Sequence, residues 1–169
     1  HWNPTKETLH ILPHWHWAGR EGEITPIFVY TNYPSAELFI NGKSQGIRKK
    51  ESGKYHVMWR VKYEPGVVKA VARKDGKEVR IQEIKSAGEP YAIRLTADKK
   101  TLAADGRDLS FVTVEIVDKD GNLCPNAENQ VAFDVKGVAF IAGVDNGSPI
   151  SLEPFKANQR KAFYGKCLV

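Results

Sequence analysis

The residues best equipped for chemistry in this 169-residue chain stand in one run, His14-Trp15-His16-Trp17, with His1, Trp2 and His10 near it in sequence. In an extended segment the two imidazoles point the same way and could ligate a metal, while the two indoles share the other side and could stack on a sugar ring. Two histidines without a third ligand make an incomplete metal site, however, and tryptophan is common at buried contacts. The plainer reading has Trp15 and Trp17 filling an interface, with His14 and His16 solvated or bonded to main chain. Trp59 is a further stacking candidate. No metal and no cofactor is implied.

Elsewhere the chemistry is sparse. The sequence has no Gly-x-Ser-x-Gly elbow, no glycine-rich phosphate loop and no His-Glu-x-x-His. Any of its 20 carboxylates could be drawn into a hypothetical acid pair, so their number assigns no site, and no catalytic residue is assigned. Asp98, Asp105, Asp108, Asp118 and Asp120 lack the spacing of a calcium loop and read as turn formers. Lys43, Arg48, Lys49, Lys50 and Lys54 flank a hairpin with few aromatics between them, which suits a solvated, aggregation-resistant strand edge better than a nucleic-acid patch. Cys124 and Cys167 could pair on facing strands, but two thiols are no disulfide framework.

The elements that must position these groups read as strands throughout, and no helical pattern is found. Ile24 to Thr31 and Ala36 to Ile40 are strands, the second running into Asn41-Gly42, a pair that accepts positive φ at both centres of a type I′ turn and so predicts a hairpin into Lys43 to Ile47. His56 to Lys62 and Val67 to Arg73 alternate, with Val68, Ala70 and Ala72 forming the core side of the latter, and Asp75-Gly76 turns the chain into Glu78 to Ile84. Ser86 to Pro90 reads as a linker. Beyond it come Tyr91 to Ala97, with Tyr91, Ile93, Leu95 and Ala97 on one side, then Ser110 to Val117, Val131 to Val135, Val138 to Ala142 and Lys161 to Val169. Strands about every ten residues, separated by turns, predict β-sandwiches.

Charge and composition divide the chain at the linker. Residues 1–88 hold 15 basic and 9 acidic residues together with all four Trp and all five His, whereas residues 89–169 hold 10 and 11. Two domains are expected, 1–88 and 89–169, both all-β and immunoglobulin-like. The second is expected to lack its closing strand, because its last strand leaves apolar Leu168 and Val169 at the chain end. Apolar content of 41% and charged content of 27% exclude a disordered chain, and no apolar run approaches the ~18 residues of a membrane span. A start at His1, with neither Met nor signal peptide, suggests a piece of a longer protein.

Two groups of motifs carry a family resemblance. Leu9-His10-Ile11-Leu12-Pro13-His14-Trp15-His16-Trp17, then Gly19 and Glu21-Gly22, Val29-Tyr30-Thr31-Asn32 and the Ala36 to Gly46 hairpin resemble the domain that follows the catalytic barrel in bacterial β-galactosidases of glycoside hydrolase family 2. Trp59 and the Pro65-Gly66 turn continue that likeness. Ile93-x-Leu95-x-Ala97, Asp105-Gly106, Val112-x-Val114-x-Ile116-x-Asp118-x-x-Gly121 and Gly143-x-x-Asn146-Gly147 resemble the next, C-terminal immunoglobulin-like domain of those enzymes.

The resemblance implies a retaining exo-glycosidase parent whose two catalytic glutamates lie on the barrel and have no counterpart here. It implies an accessory, non-catalytic role, a partner in the parent's own barrel, and a periplasmic, extracellular or cell-surface location. His14, Trp15, His16, Trp17 and Trp59 are then the residues expected to touch barrel or carbohydrate. A stand-alone carbohydrate-binding module and a spacer or adhesion array are the alternatives. The array is disfavoured because the two halves are not repeats of one another.

Overall fold

A computed structural model describes residues 6–169; the expectations placed on His1 and Trp2 lie outside them. Among the described residues none is helical, and every strand runs antiparallel to its neighbours. The fold class is all-β, as the alternation predicts. The chain forms two compact units, His1–Ser86 and Ala87–Val169.

The first unit contains β1 (Leu9–Leu12), β2 (Ile24–Thr31), β3 (Ser35–Ile40), β4 (Lys43–Lys49), β5 (His56–Lys62), β6 (Val67–Lys74) and β7 (Lys77–Lys85). They make one sheet in the order β1-β2-β5 and another in the order β4-β3-β6-β7. Period-two alternation sends Ile27 and Val29 of β2 and Val57, Trp59 and Val61 of β5 into one core with Ala36, Leu38 and Ile40 of β3 and Val68, Ala70 and Ala72 of β6. Each fully buried Val or Leu there contributes about 1.5–3 kcal/mol of transfer free energy.

Asn41 and Gly42 both take positive φ, 49° and 80°, as the hairpin requires. The Lys- and Arg-bearing β4 is an edge strand, where charge deters pairing with another chain. Gly66 is fixed for two reasons. Its φ is 133°, and a Cβ there would sit 2.0 Å from the Asn41 side-chain oxygen, which accepts from the Val67 amide at 2.7 Å while Asn41 Nδ2 donates to the Pro65 carbonyl at 3.0 Å.

The second unit has β8 (Ala92–Ala97), β9 (Val112–Val117), β10 (Gln130–Ala132), β11 (Gln159–Lys161) and β12 (Lys166–Leu168). One sheet runs β12-β9-β8 and the other is the pair β10-β11. Val114, Ile116, Cys124, Ala127, Val131, Ala162 and Cys167 form its core. Arg94, Glu115 and Lys166 lie in register across the solvent face of the larger sheet, with Glu115 bridging both cations.

Three strand expectations need correction here, the first being Val131 to Val135, which is a strand only within Gln130–Ala132. Val138 to Ala142 alternates but is not a strand, and the expected strand from Lys161 to Val169 is broken by a turn at Tyr164-Gly165, both with positive φ. The turn aspartates behave as read. Asp105 Oδ1 accepts from the Arg107 and Asp108 amides at 2.8 Å, and Asp98 accepts from Ser110 Oγ and the Phe111 amide at 2.9 Å each.

Candidate functional site

The segment that follows β1 is not extended, so the simple split of two imidazoles on one side and two indoles on the other does not hold. Trp15 turns into the core. Its ring meets Tyr63 edge-on at 4.9 Å and 71°, and its N–H donates to the Glu64 carbonyl at 2.9 Å, which satisfies the one polar group the indole buries. Ser86 Oγ donates to the Trp15 carbonyl at 2.5 Å, and the Ile11 amide donates to Gln82 Oε1 at 2.8 Å, so the segment is tied to the sheet carrying β6 and β7.

Trp59 lies in the core as well, its N–H donating to the Gly46 carbonyl at 3.3 Å and the Arg48 guanidinium over its ring. At 1% exposure each, Trp15 and Trp59 present no face to a sugar, which corrects the stacking expectation for both.

Trp17 and His14 stay together at the margin of this core. Their rings stack at 4.2 Å and 27°, and the Arg20 guanidinium lies 5.5 Å from the Trp17 ring centre. The Trp17 amide donates to Tyr63 Oη at 3.1 Å. The His16 amide donates to His14 Nδ1 at 3.3 Å, which occupies that lone pair. Burial, and after it the charge of His16, holds the His14 imidazole below its ordinary pKa, so His14 is neutral near pH 7. Trp17 Nε1 and His16 Nδ1 are buried without a partner among the described residues. Such groups are costly, by about 1–3 kcal/mol each. Among the described residues no three His, Cys, Asp or Glu side chains converge as metal ligands.

Around Trp17 the structure adds residues that the motif reading passes over. An open cavity of about 370 Å³ is lined by Leu12, Pro13, Trp17, Arg20, Ile24, Pro26 and Phe28, among others, and its walls are mostly apolar. Leu12 and Ile24 are exposed. Strand register explains the grouping. Leu12, Phe28 and Met58 form one row across the outer face of β1-β2-β5, and His10, Tyr30 and His56 form the next, with the His56 ring against Phe28 and Tyr30. The sequence signal was present: both alternating sets of Ile24 to Thr31 are rich in apolar residues, as in a strand covered on both faces.

In the second unit the polar groups are structural. Asp118 accepts from the amides of Gly88, Asp120 and Asn122 and from Asn122 Nδ2, between 2.8 and 3.0 Å. These bonds, the one from Gly88 foremost, bring its carboxyl down to a pKa of about 2. Cys124 and Cys167 are free and buried. Burial pushes the Cys167 thiol up to about 11, with Arg160 opposing.

Comparison with known proteins places this geometry. Residues 93–169 match the family described as glycoside hydrolase family 2 C-terminal domain 5, and residues 22–80 match a domain of unknown function, DUF4982. β-Galactosidase BoGH2A of Bacteroides ovatus is 56% identical over 164 residues, which make up 97% of this chain and 19% of that protein. A putative β-glucuronidase of Formosa agariphila is 33% identical over 165 residues, 95% of this chain and 16% of its own. The crystal structure of a β-glycosidase from Bacteroides vulgatus, 36% identical, matches with a TM-score of 0.93 over 97% of this chain and 21% of that one. The chain spans less than a fifth of the length of either of the two sequence relatives.

Proposed function

We propose, for a chain that belongs to glycoside hydrolase family 2 as its C-terminal domains, a non-catalytic accessory role: it packs on the catalytic barrel of a secreted enzyme of β-galactosidase type. The observation that carries this reading is the outer face of β1-β2-β5. There Leu12, Ile24, Pro26 and Phe28 surround an open apolar cavity beside the Trp17-His14 stack, the surface on which the barrel would seat. Arg60 and Lys62 stand in register with Pro26 and Ile24, so the matching surface is apolar with an acidic border.

Three of the less exposed carboxylates are engaged within the fold. Glu37 is bonded to Ser44 and Arg73, Glu115 to Arg94 and Lys166, and Asp118 to three amides and Asn122. The acid/base and nucleophile of the parent belong, in this proposal and on the strength of the family resemblance, to the barrel. Location in the periplasm or at the cell surface is part of the same proposal, supported by the family resemblance, and fractionation of the source cells tests it. The activity test is direct. The purified chain should leave aryl-β-galactosides intact, and turnover that co-purifies with it through successive columns would overturn the accessory role.

A further inference from the structure

One stretch of the first unit carries charge that the fold does not neutralise. Lys43, Arg48 and Lys49 lie on β4 and Lys50 and Lys54 just beyond it, with Glu51 the one acidic residue among residues 43–54. None of these cations forms an ion pair with a described residue. Arg73 in the same sheet shows the contrast, held by Glu37 at 2.6 Å and Glu78 at 3.0 Å. Lys43, Arg48, Lys49 and Lys54 are exposed. The Arg48 guanidinium lies 5.7 Å from the centre of the Trp59 ring, which fixes its place without cancelling its charge. On this edge strand the path from Lys43 to Lys49 covers about 20 Å.

Charge on an edge strand deters pairing with another chain. Lys43, Arg48 and Lys49 fill that role, which does not call for Lys50 and Lys54 beyond the strand, where close like charges repel each other. A neighbouring side chain bears on what the stripe would hold. Tyr55, next to Lys54, is 54% exposed and offers a ring that can cover the C–H side of a sugar. It is the only aromatic residue among residues 43–55, whereas a nucleic-acid strand calls for successive stacking rings.

We propose that β4 and the turn after it form a binding surface for an acidic polysaccharide, with Lys43, Arg48, Lys49 and Lys54 facing carboxylates or sulfates spaced along the saccharide and Tyr55 under one sugar ring. Charge complementarity supplies the attraction, and the length of the stripe suits an extended polymer rather than a single small anion. The choice of a saccharide rests on membership of glycoside hydrolase family 2. The barrel contact is not required, because β4 belongs to the other sheet from β1-β2-β5, so the two proposals stand or fall separately.

The experiment measures binding of the chain to immobilised polygalacturonate, dextran sulfate and uncharged dextran. Saturable binding to at least one of the two acidic polymers is expected at low salt, weakened about tenfold or more by raising ionic strength to about 0.3 M, with none to dextran; which acidic polymer binds tells carboxylate from sulfate. Lys43→Gln/Lys49→Gln/Lys54→Gln should weaken it at least about tenfold and Tyr55→Ala about threefold or more, with circular dichroism showing both variants folded. Lys77→Gln/Lys85→Gln/Lys100→Gln removes the same charge from exposed positions off β4 and should change it less than about twofold. Equal loss in the two triple variants would reduce the effect to net charge and overturn the proposal. So would no binding, binding as tight to dextran, or binding that Tyr55→Ala leaves undiminished. Tighter binding of a single-stranded oligonucleotide than of either acidic polymer would overturn it too, by assigning the surface to nucleic acid.

Discussion

The indole N–H of Trp15 donates to the main-chain carbonyl of Glu64 at 2.9 Å, a bond across 49 residues that locks the segment after β1 onto the turn before β6. Because the indole is both fully buried and hydrogen-bonded, Trp15→Ala is expected to destabilise the first unit by about 3–5 kcal/mol. Trp15→Phe, which keeps much of the volume but leaves the carbonyl unpaired, should cost about 1–3 kcal/mol. Urea unfolding followed by far-UV circular dichroism checks the order of the two.

Gly66 makes a sharper test of local geometry. Alanine there meets the Asn41 side-chain oxygen and must also hold a positive φ, so Gly66→Ala should lower stability by about 3 kcal/mol. Removing the obstructing side chain in Gly66→Ala/Asn41→Gly should recover only part of the loss, since the backbone strain stays. Full recovery in thermal melts would assign the whole cost to the clash.

Asp118 gives the second unit a defined response to acid. Its folded pKa, about 2, lies below the ordinary carboxylate value of 3.8, so the stabilisation it confers is fully present above about pH 4 and is lost as pH falls through about 2. Asp118→Asn should flatten that part of the pH–stability curve while lowering stability at neutral pH. A wild-type unfolding midpoint independent of pH between about 5 and 2 would contradict the assignment.

The thiols should be inert while the chain is folded. With Cys167 at about 11 and Cys124 also raised by burial, almost no thiolate exists at neutral pH and neither sulfur is reachable. An aromatic disulfide reagent should therefore release its chromophore only after denaturant is added, in an amount equal to two thiols per chain. Prompt reaction of the native chain would show that the second unit opens.

Much of this fold was legible in the sequence because it rests on local signals. Asn41-Gly42 could hardly serve as anything but a tight turn, and Val68, Ala70 and Ala72 are the only all-aliphatic side of their strand, so hairpin and core face followed from residue type. The site was less legible. The alternation rule placed Trp15 beside Trp17, but Pro13 ends β1 and the backbone beyond it is not extended, so one indole enters the core while the other stays at its margin. Periodicity also identifies an apolar face without saying what covers it. Ile93 and Leu95 read as one side of a strand and are exposed, and Val138 to Ala142 reads as a strand and is unpaired among the described residues, because burial and pairing depend on neighbours that the alternation does not contain.

The outer face of β1-β2-β5 is proposed above as a docking surface for the parent's catalytic barrel. Calorimetric titration of this chain into that barrel, produced without its C-terminal domains, decides whether the contact exists. A saturable one-to-one complex is expected, weakened at least about tenfold by Phe28→Asp while circular dichroism shows the chain still folded, because a charge is forced against an apolar contact. No binding, or binding that Phe28→Asp leaves undiminished, would contradict it.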